Sequence, residues 1–259
     1  MRTQSKIKSL RYKNLLKQVS NWPAYLVYKI FGGTSFTFKF KNGRKLHVPK
    51  PMMGAFREVF LDQIYYRHLP SEITRDLKTI LDVGANAGYF GVFALYRNPE
   101  ATVHCVEPFP ACVTQIQEYA KDFETGQMKV HELGLSGENG SFKLYVDDVQ
   151  EYSTTSSMTP GENKQAIEIE TISFRNFLEQ EKLEQVDLVK MDCEGAEYST
   201  IYAMEDVDFN KVSAWAIETH LGSAKEECTA HLACFLESYG YKTLHFDEGN
   251  TGYIWAWKA

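Results

Sequence analysis

From Thr79 onward, short apolar runs alternate with stretches of helical period, and this alternation leaves few possible folds. Strands are predicted at 79–83, 102–107, 128–133, 186–191, 212–218, 241–246 and 252–257. Helices fall near 87–97, 110–121, 173–182, 196–204 and 223–239. A strand that must pair in parallel with the next needs a crossover, and a helix supplies it, so the pattern predicts a doubly wound α/β domain. The last two strands are joined only by Asp247–Asn250, which calls for an antiparallel hairpin at the sheet edge. The expected fold is therefore a mostly parallel seven-stranded, Rossmann-like sheet. Two more strand-like pieces, 141–146 and 166–172, flank a Ser/Thr-rich loop, Tyr152–Thr159, expected to be mobile.

Residues 1–70 read differently. A helix over 5–31 is expected to break at Pro23. Phe36–Phe40 and Lys45–Val48 flank Asn42-Gly43, a strong hairpin signal, and 52–69 reads as helical again. This segment is expected to form an extension beside a catalytic domain over 71–259. Its charge stands apart. Residues 1–50 hold 12 Lys or Arg and no acid, whereas the remaining 209 hold 16 basic and 34 acidic residues. Such a segment is a solvated basic extension, a cap over the active site that selects the acceptor, or a surface for nucleic acid or anionic membrane. The five cysteines form no CxxC pair, which argues against a disulfide framework or a thiolate zinc site. No secretory signal or bilayer-length apolar run is visible, so a cytoplasmic compartment is expected, at most peripheral to a membrane.

Chemistry concentrates at the C-terminal ends of the predicted strands, where open α/β sheets bind ligands. The first strand runs into Asp82-Val-Gly84-Ala-Asn86-Ala-Gly88-Tyr89-Phe90 and then a helix. Glycines there allow a sharp turn and close approach of a ligand, and the helix start offers free N–H groups. The spacing is not the GxGxxG of a dinucleotide site, and Asp82 would repel a pyrophosphate but suits the ammonium and sulfonium of S-adenosylmethionine. Glu107, 25 residues later, ends the second strand before Pro108. An acid in that position accepts ribose hydroxyls. Asp82, Gly84, Asn86, Gly88, Tyr89, Phe90, Glu107, Pro108 and Asp192 are the expected cofactor-binding residues.

A third segment, Lys190-Met-Asp192-Cys-Glu194-Gly-Ala-Glu197, delivers carboxylates to the same edge. With the Asp82–Gly88 loop and the Glu107-Pro108 pair, the chain here resembles the FkbM family of methyltransferases, over roughly residues 79–220. The resemblance implies a class I methyltransferase that moves the methyl of S-adenosylmethionine to a hydroxyl of a sugar, a polysaccharide or a secondary metabolite. It says nothing of residues 1–70.

Ala216-Ile-Glu218-Thr-His220 ends another strand, and the family tends to carry an acid-x-His there. An alcohol needs a base as the methyl transfers in line, and histidine titrates in the useful range. His220 is the expected base, with Asp192, Glu194 and Glu218 as its catalytic company and Glu197 as a helix-start acid. Asp192, Glu194, Glu218 and His220 could instead gather magnesium or manganese. Three rival readings stay open. A nicotinamide oxidoreductase would need a phosphate-binding GxGxxG, which Gly84–Gly91 does not spell. A base-modifying nucleic-acid methyltransferase would carry Asp-Pro-Pro where Asp192-Cys-Glu stands, and an acidic catalytic half disfavours a nucleic-acid partner. A non-catalytic relative would have lost the loop. The expected partner is a small-molecule or glycan acceptor.

Overall fold

The computed structural model describes residues 2–146 and 165–258. The chain divides into two compact units, Met1–Arg67 and His68–Ala259.

The first unit holds helices α1 (Arg2–Gln18) and α2 (Trp22–Phe31), strands β1 (Ser35–Lys39) and β2 (Lys45–Pro49), and helix α3 (Met53–Phe56). The expected 5–31 helix is thus two helices. Pro23 opens α2 rather than ending its predecessor, since a first-turn proline forfeits no intrahelical bond. β1 and β2 pair antiparallel around Asn42-Gly43. The expected helix over 52–69 is only partly regular. α3 passes into a wide π-type turn, Arg57–Asp62, and Gln63, at φ 52°, ends it. An aromatic core forms around Phe38, whose ring stacks on Phe56 at 3.9 Å and lies 4.9 Å from Tyr25. Arg11 donates from its guanidinium to both oxygens of the buried Asp62.

In the second unit β3 (Thr79–Val83), α4 (Tyr89–Arg97), β4 (Thr102–Val106), α5 (Pro110–Ala120) and β5 (Met128–His131) alternate, and the three strands pair in parallel. β6 (Gly134–Ser136), β7 (Gly140–Val146) and β8 (Gln165–Ser173) follow, then α6 (Phe174–Gln180), β9 (Leu188–Met191), α7 (Glu197–Tyr202) and α8 (Asp206–Asn210). β10 (Ala214–His220), α9 (Thr229–Ser238), β11 (Lys242–Asp247) and β12 (Thr251–Trp257) complete the unit. Seven strands form a mostly parallel sheet in the order β11-β12-β10-β9-β3-β4-β5, with helices on both faces. The order reverses between β3 and β9, which opens a crevice at their C-terminal ends. Both faces are covered, so the central strands are apolar throughout: all four residues of β9 are buried, Lys190 included.

The expected hairpin of the last two strands stands at the sheet edge, with β11 on the rim and the reversed strand β12 between it and β10. Hydrophobicity explains this order: Ile254, Trp255 and Ala256 of β12 are buried, whereas most of Lys-Thr-Leu-His-Phe-Asp in β11 is exposed. Two details differ from expectation. The expected strand 128–133 stops at His131, and the chain then enters a second, three-stranded sheet ordered β6-β8-β7. α9 begins only at Thr229, because Glu227 accepts the N–H groups of Ser223 and Ala224 and holds the preceding residues in a turn. The loop Tyr152–Thr159 lies outside the described residues. No helix among the described residues is long and apolar enough to cross a membrane.

Candidate functional site

A cavity of about 320 Å³ opens at the β3/β9 crevice. Gly84, Asn86, Glu107, Pro108, Asp192 and Glu194, all expected from sequence, line it. So do residues that sequence reasoning missed. Phe109 and Cys112 sit at the start of α5, and Leu135, Phe142, Ile169 and Thr171 come from the three-stranded sheet. No sequence signal marked the latter, because the pairing of β6 with β8 joins positions far apart in the chain.

The loop after β3 is fixed by several bonds. Gly84 and Ala85 both donate their N–H to the Val106 carbonyl at the end of β4. Gly84 has φ 68°, and a Cβ there would stand 1.7 Å from the Asp192 carbonyl oxygen. Only glycine lets β3 and β9 come so close. Gly88 plays a different part from the one expected. At φ 78° it packs against Ile116 of α5, and it does not line the cavity. Tyr89 and Phe90 are likewise buried in the body of α4, away from the cavity.

Glu107 is the carboxylate most clearly built into the pocket. Its Oε2 accepts the Asn86 N–H at 2.7 Å and its Oε1 the Phe109 N–H at 2.9 Å. Burial pushes its pKa up to about 7 against the pull of those two N–H groups. Each oxygen keeps a further lone pair, so the carboxylate can still accept hydroxyls from a ligand.

Asp82 is not where its expected role would put it. It is completely buried, is not among the residues that line this cavity, and faces the Lys190 ammonium at 3.2 Å. Lys190 also donates to the Gly84 carbonyl at 2.6 Å and the Val83 carbonyl at 3.2 Å. Burial works against this ammonium, but Asp82 and Asp192 outweigh it and raise its pKa. The cation that meets Asp82 is thus the protein's own, and the pair clamps the loop from beneath.

A second group of ionisable side chains gathers around His220. Its Nδ1 lies 3.0 Å from Glu197 Oε1, and its Nε2 lies 3.5 Å from Glu194 Oε2. With both nitrogens facing carboxylates, the ring is held as a doubly protonated imidazolium. Burial lowers its pKa, but Glu197, Glu194 and Asp192 more than reverse that and raise it to about 9. Glu197, at the start of α7, is fully buried, and its Oε1 also accepts the Cys193 N–H at 3.1 Å. It fixes both the turn after β9 and the His220 ring. Glu194 holds a left-handed φ of 56° that turns it into the cavity wall, and burial raises its pKa. His220 does not line the cavity and stands behind Glu194. Glu218, two residues earlier on β10, is half-buried and also absent from the cavity lining.

Ligand atoms of Asp192, Glu197 and His220 lie within 4.8 Å of one another. This set differs from the one expected, with Glu197 in place of Glu194 and Glu218. A divalent cation would have to displace a proton from an imidazole already bonded to carboxylates, so these residues suit a proton better than a metal.

The family model described as the methyltransferase FkbM domain matches residues 82–243. A protein named methyltransferase 1 from Beauveria bassiana is 23% identical, covering 62% of this chain and 71% of its own. The 31-O-demethyl-FK506 methyltransferase FkbM of Streptomyces tacrolimicus is 24% identical, over 64% of this chain and 73% of its own. The 2-O-methyltransferase NoeI of Sinorhizobium fredii is 25% identical, over 52% and 61%. Among solved structures, the methyltransferase FkbM from Methylobacillus flagellatus has a TM-score of 0.51 at 15% identity. It matches 79% of this chain, which spans about half (53%) of that one, and the likeness is one of fold.

Proposed function

The chain belongs to the FkbM methyltransferase family, and on that premise we propose that it moves a methyl group from S-adenosylmethionine to a hydroxyl of a sugar, glycan or secondary metabolite. The observation that carries this reading is Glu107. A carboxylate held at the end of β4 by two N–H groups, with spare lone pairs, fits the paired hydroxyls of a ribose. Asn86 and Pro108 border it, and Phe109, Leu135 and Ile169 supply apolar wall for a base. Transfer to oxygen rests on the relatives whose names specify 31-O and 2-O positions.

The bound cofactor supplies an electrophilic methyl on a sulfonium. Everything else falls to the chain's own side chains. The Asp82–Lys190 pair keeps the Gly84 loop in place. Asp192 and Glu194, on the cavity wall, hold the acceptor hydroxyl, and holding it in line supplies most of the acceleration. His220 serves as the base through Glu194, whose carboxylate stands between the imidazole and the cavity and relays the proton. A histidine with a pKa of about 9 must lose its own proton first, so turnover should rise with pH towards that value.

Calorimetry with S-adenosylmethionine and S-adenosylhomocysteine tests the pocket. Both should bind, and Glu107→Ala should weaken them at least tenfold, the loss expected for hydrogen bonds to a charged group. Absence of any heat with either compound would remove the cofactor assignment. Incubating labelled cofactor with candidate glycans and metabolites, with the product read by mass spectrometry, identifies the acceptor.

A further inference from the structure

We propose that α2 and the lysines around it form a face that seats this protein on an anionic lipid bilayer.

The sequence of α2, Trp-Pro-Ala-Tyr-Leu-Val-Tyr-Lys-Ile-Phe, carries a single charge, at Lys29. Its inner side is accounted for. Tyr25 and Tyr28 pack on Phe36 at 5.5 and 5.3 Å between ring centroids. Its outer side holds Val27, Ile30 and Phe31, at the spacing of one helical stripe, with exposures of 54%, 76% and 82%. On α1, Tyr12 and Leu16 are also exposed, and Lys29 joins the two helices by donating to the Tyr12 hydroxyl at 3.1 Å. A helix apolar on every side is normally buried in something. Ten residues rise only about 15 Å, half of a bilayer's hydrocarbon, so α2 can lie in a membrane interface but not cross it.

Charge decides the occupant. Met1–Arg67 contains 14 Lys or Arg and only two acids, Glu58 and Asp62, and Asp62 is taken by Arg11. Lys13 and Lys17 are exposed on α1, and Lys41 reaches the Leu16 carbonyl beside the exposed apolar residues. Nucleic acid would match the charge but has no use for a projecting Ile30 and Phe31. A second copy would match the apolar stripe but brings the same positive charge. An anionic bilayer matches both, with phosphates for the lysines and an acyl boundary for the stripe.

The test uses the full chain in flotation with vesicles of phosphatidylcholine alone or mixed with phosphatidylglycerol. Expected is recovery with the mixed vesicles only, falling as salt is raised. The double variant Ile30→Ser, Phe31→Ser should reduce partitioning about tenfold or more, from the apolar area withdrawn. Both side chains are exposed, so its melting temperature should match the parent's, and cofactor binding, which reads a different unit, should be unaffected. Equal recovery of parent and variant, or equal recovery on neutral and anionic vesicles, overturns the proposal. So does a sedimentation-velocity dimer of the parent that the double variant dissolves, since a second copy would then cover the face.

Discussion

Two histidines in the same domain are both withdrawn from solvent and titrate in opposite directions. His220, on β10, is pushed up to about 9. His104, on β4, is pulled down to about 3. Burial lowers both, so burial does not separate them. Their neighbours do. His220 faces Glu197 and Glu194 with Asp192 close by. His104 faces His131, whose Nε2 lies 3.2 Å from its Nδ1, and Lys129 adds a positive charge nearby. Glu181 approaches His104 no nearer than 3.7 Å and is shared with Lys129. Two imidazoles bonded to each other cannot both donate, so at least one ring nitrogen of this pair is bare. The contrast teaches that the cluster around His220 is held together by formal charge, and the imidazole pair between β4 and β5 by neutral polar packing.

If that is right, removing one member of the charged cluster leaves its partner stranded, and the largest loss should come from Lys190→Met. It buries Asp82 without a counter-ion, and denaturant unfolding should show a cost of roughly 3–5 kcal/mol. A variant as stable as the parent would break the comparison at once. Next is Glu197→Gln, which keeps the shape but deletes the charge. The His220 pKa, followed by NMR, should fall from about 9 towards the ordinary histidine value, with a stability loss of about 2 kcal/mol. An unchanged titration would mean that Glu194 and Asp192 alone hold the proton.

The two rings should also bend the pH dependence of stability from opposite sides. His220 has a folded pKa above its unfolded value of 6.5, so its contribution is complete below pH 6.5 and lost as pH rises through 9. His104 has a folded pKa below 6.5, so its neutral packing costs nothing above pH 6.5 and is undermined as pH falls towards 3. Urea unfolding across that range should show a maximum near neutrality, with each flank worth about 2 kcal/mol once solvent screening is discounted. His220→Ala should flatten the alkaline flank only. The smallest change is expected from Glu181→Gln, whose partly exposed contacts with Lys129 and the imidazoles should be worth less than about 1 kcal/mol.

Much of this molecule is legible in the order of its residues. Strand and helix alternation points to the seven-stranded sheet because period and apolar content are local properties. Glu107 and Asp192 are legible because each follows directly on an apolar strand, Glu194 because it comes two residues after Asp192, and strand ends in such a sheet converge. The place of β12 is not legible, since it depends on which of two adjacent strands buries better against β10. Of the three-stranded sheet, β7 and β8 are legible as the strand-like pieces 141–146 and 166–172, whereas β6, three residues long, is marked by no pattern.

The sequence by itself determined which chemistry reaches the crevice, because order along the chain and strand period decide which residues end each strand. Only the tertiary structure decided what state those groups are in. Asp82 was given to Lys190 instead of a ligand, and Glu197 was drawn to His220 across 23 residues. The physical reason is that an ionisable group answers to the charges within a few ångströms of it, and that neighbourhood exists only once the chain has folded.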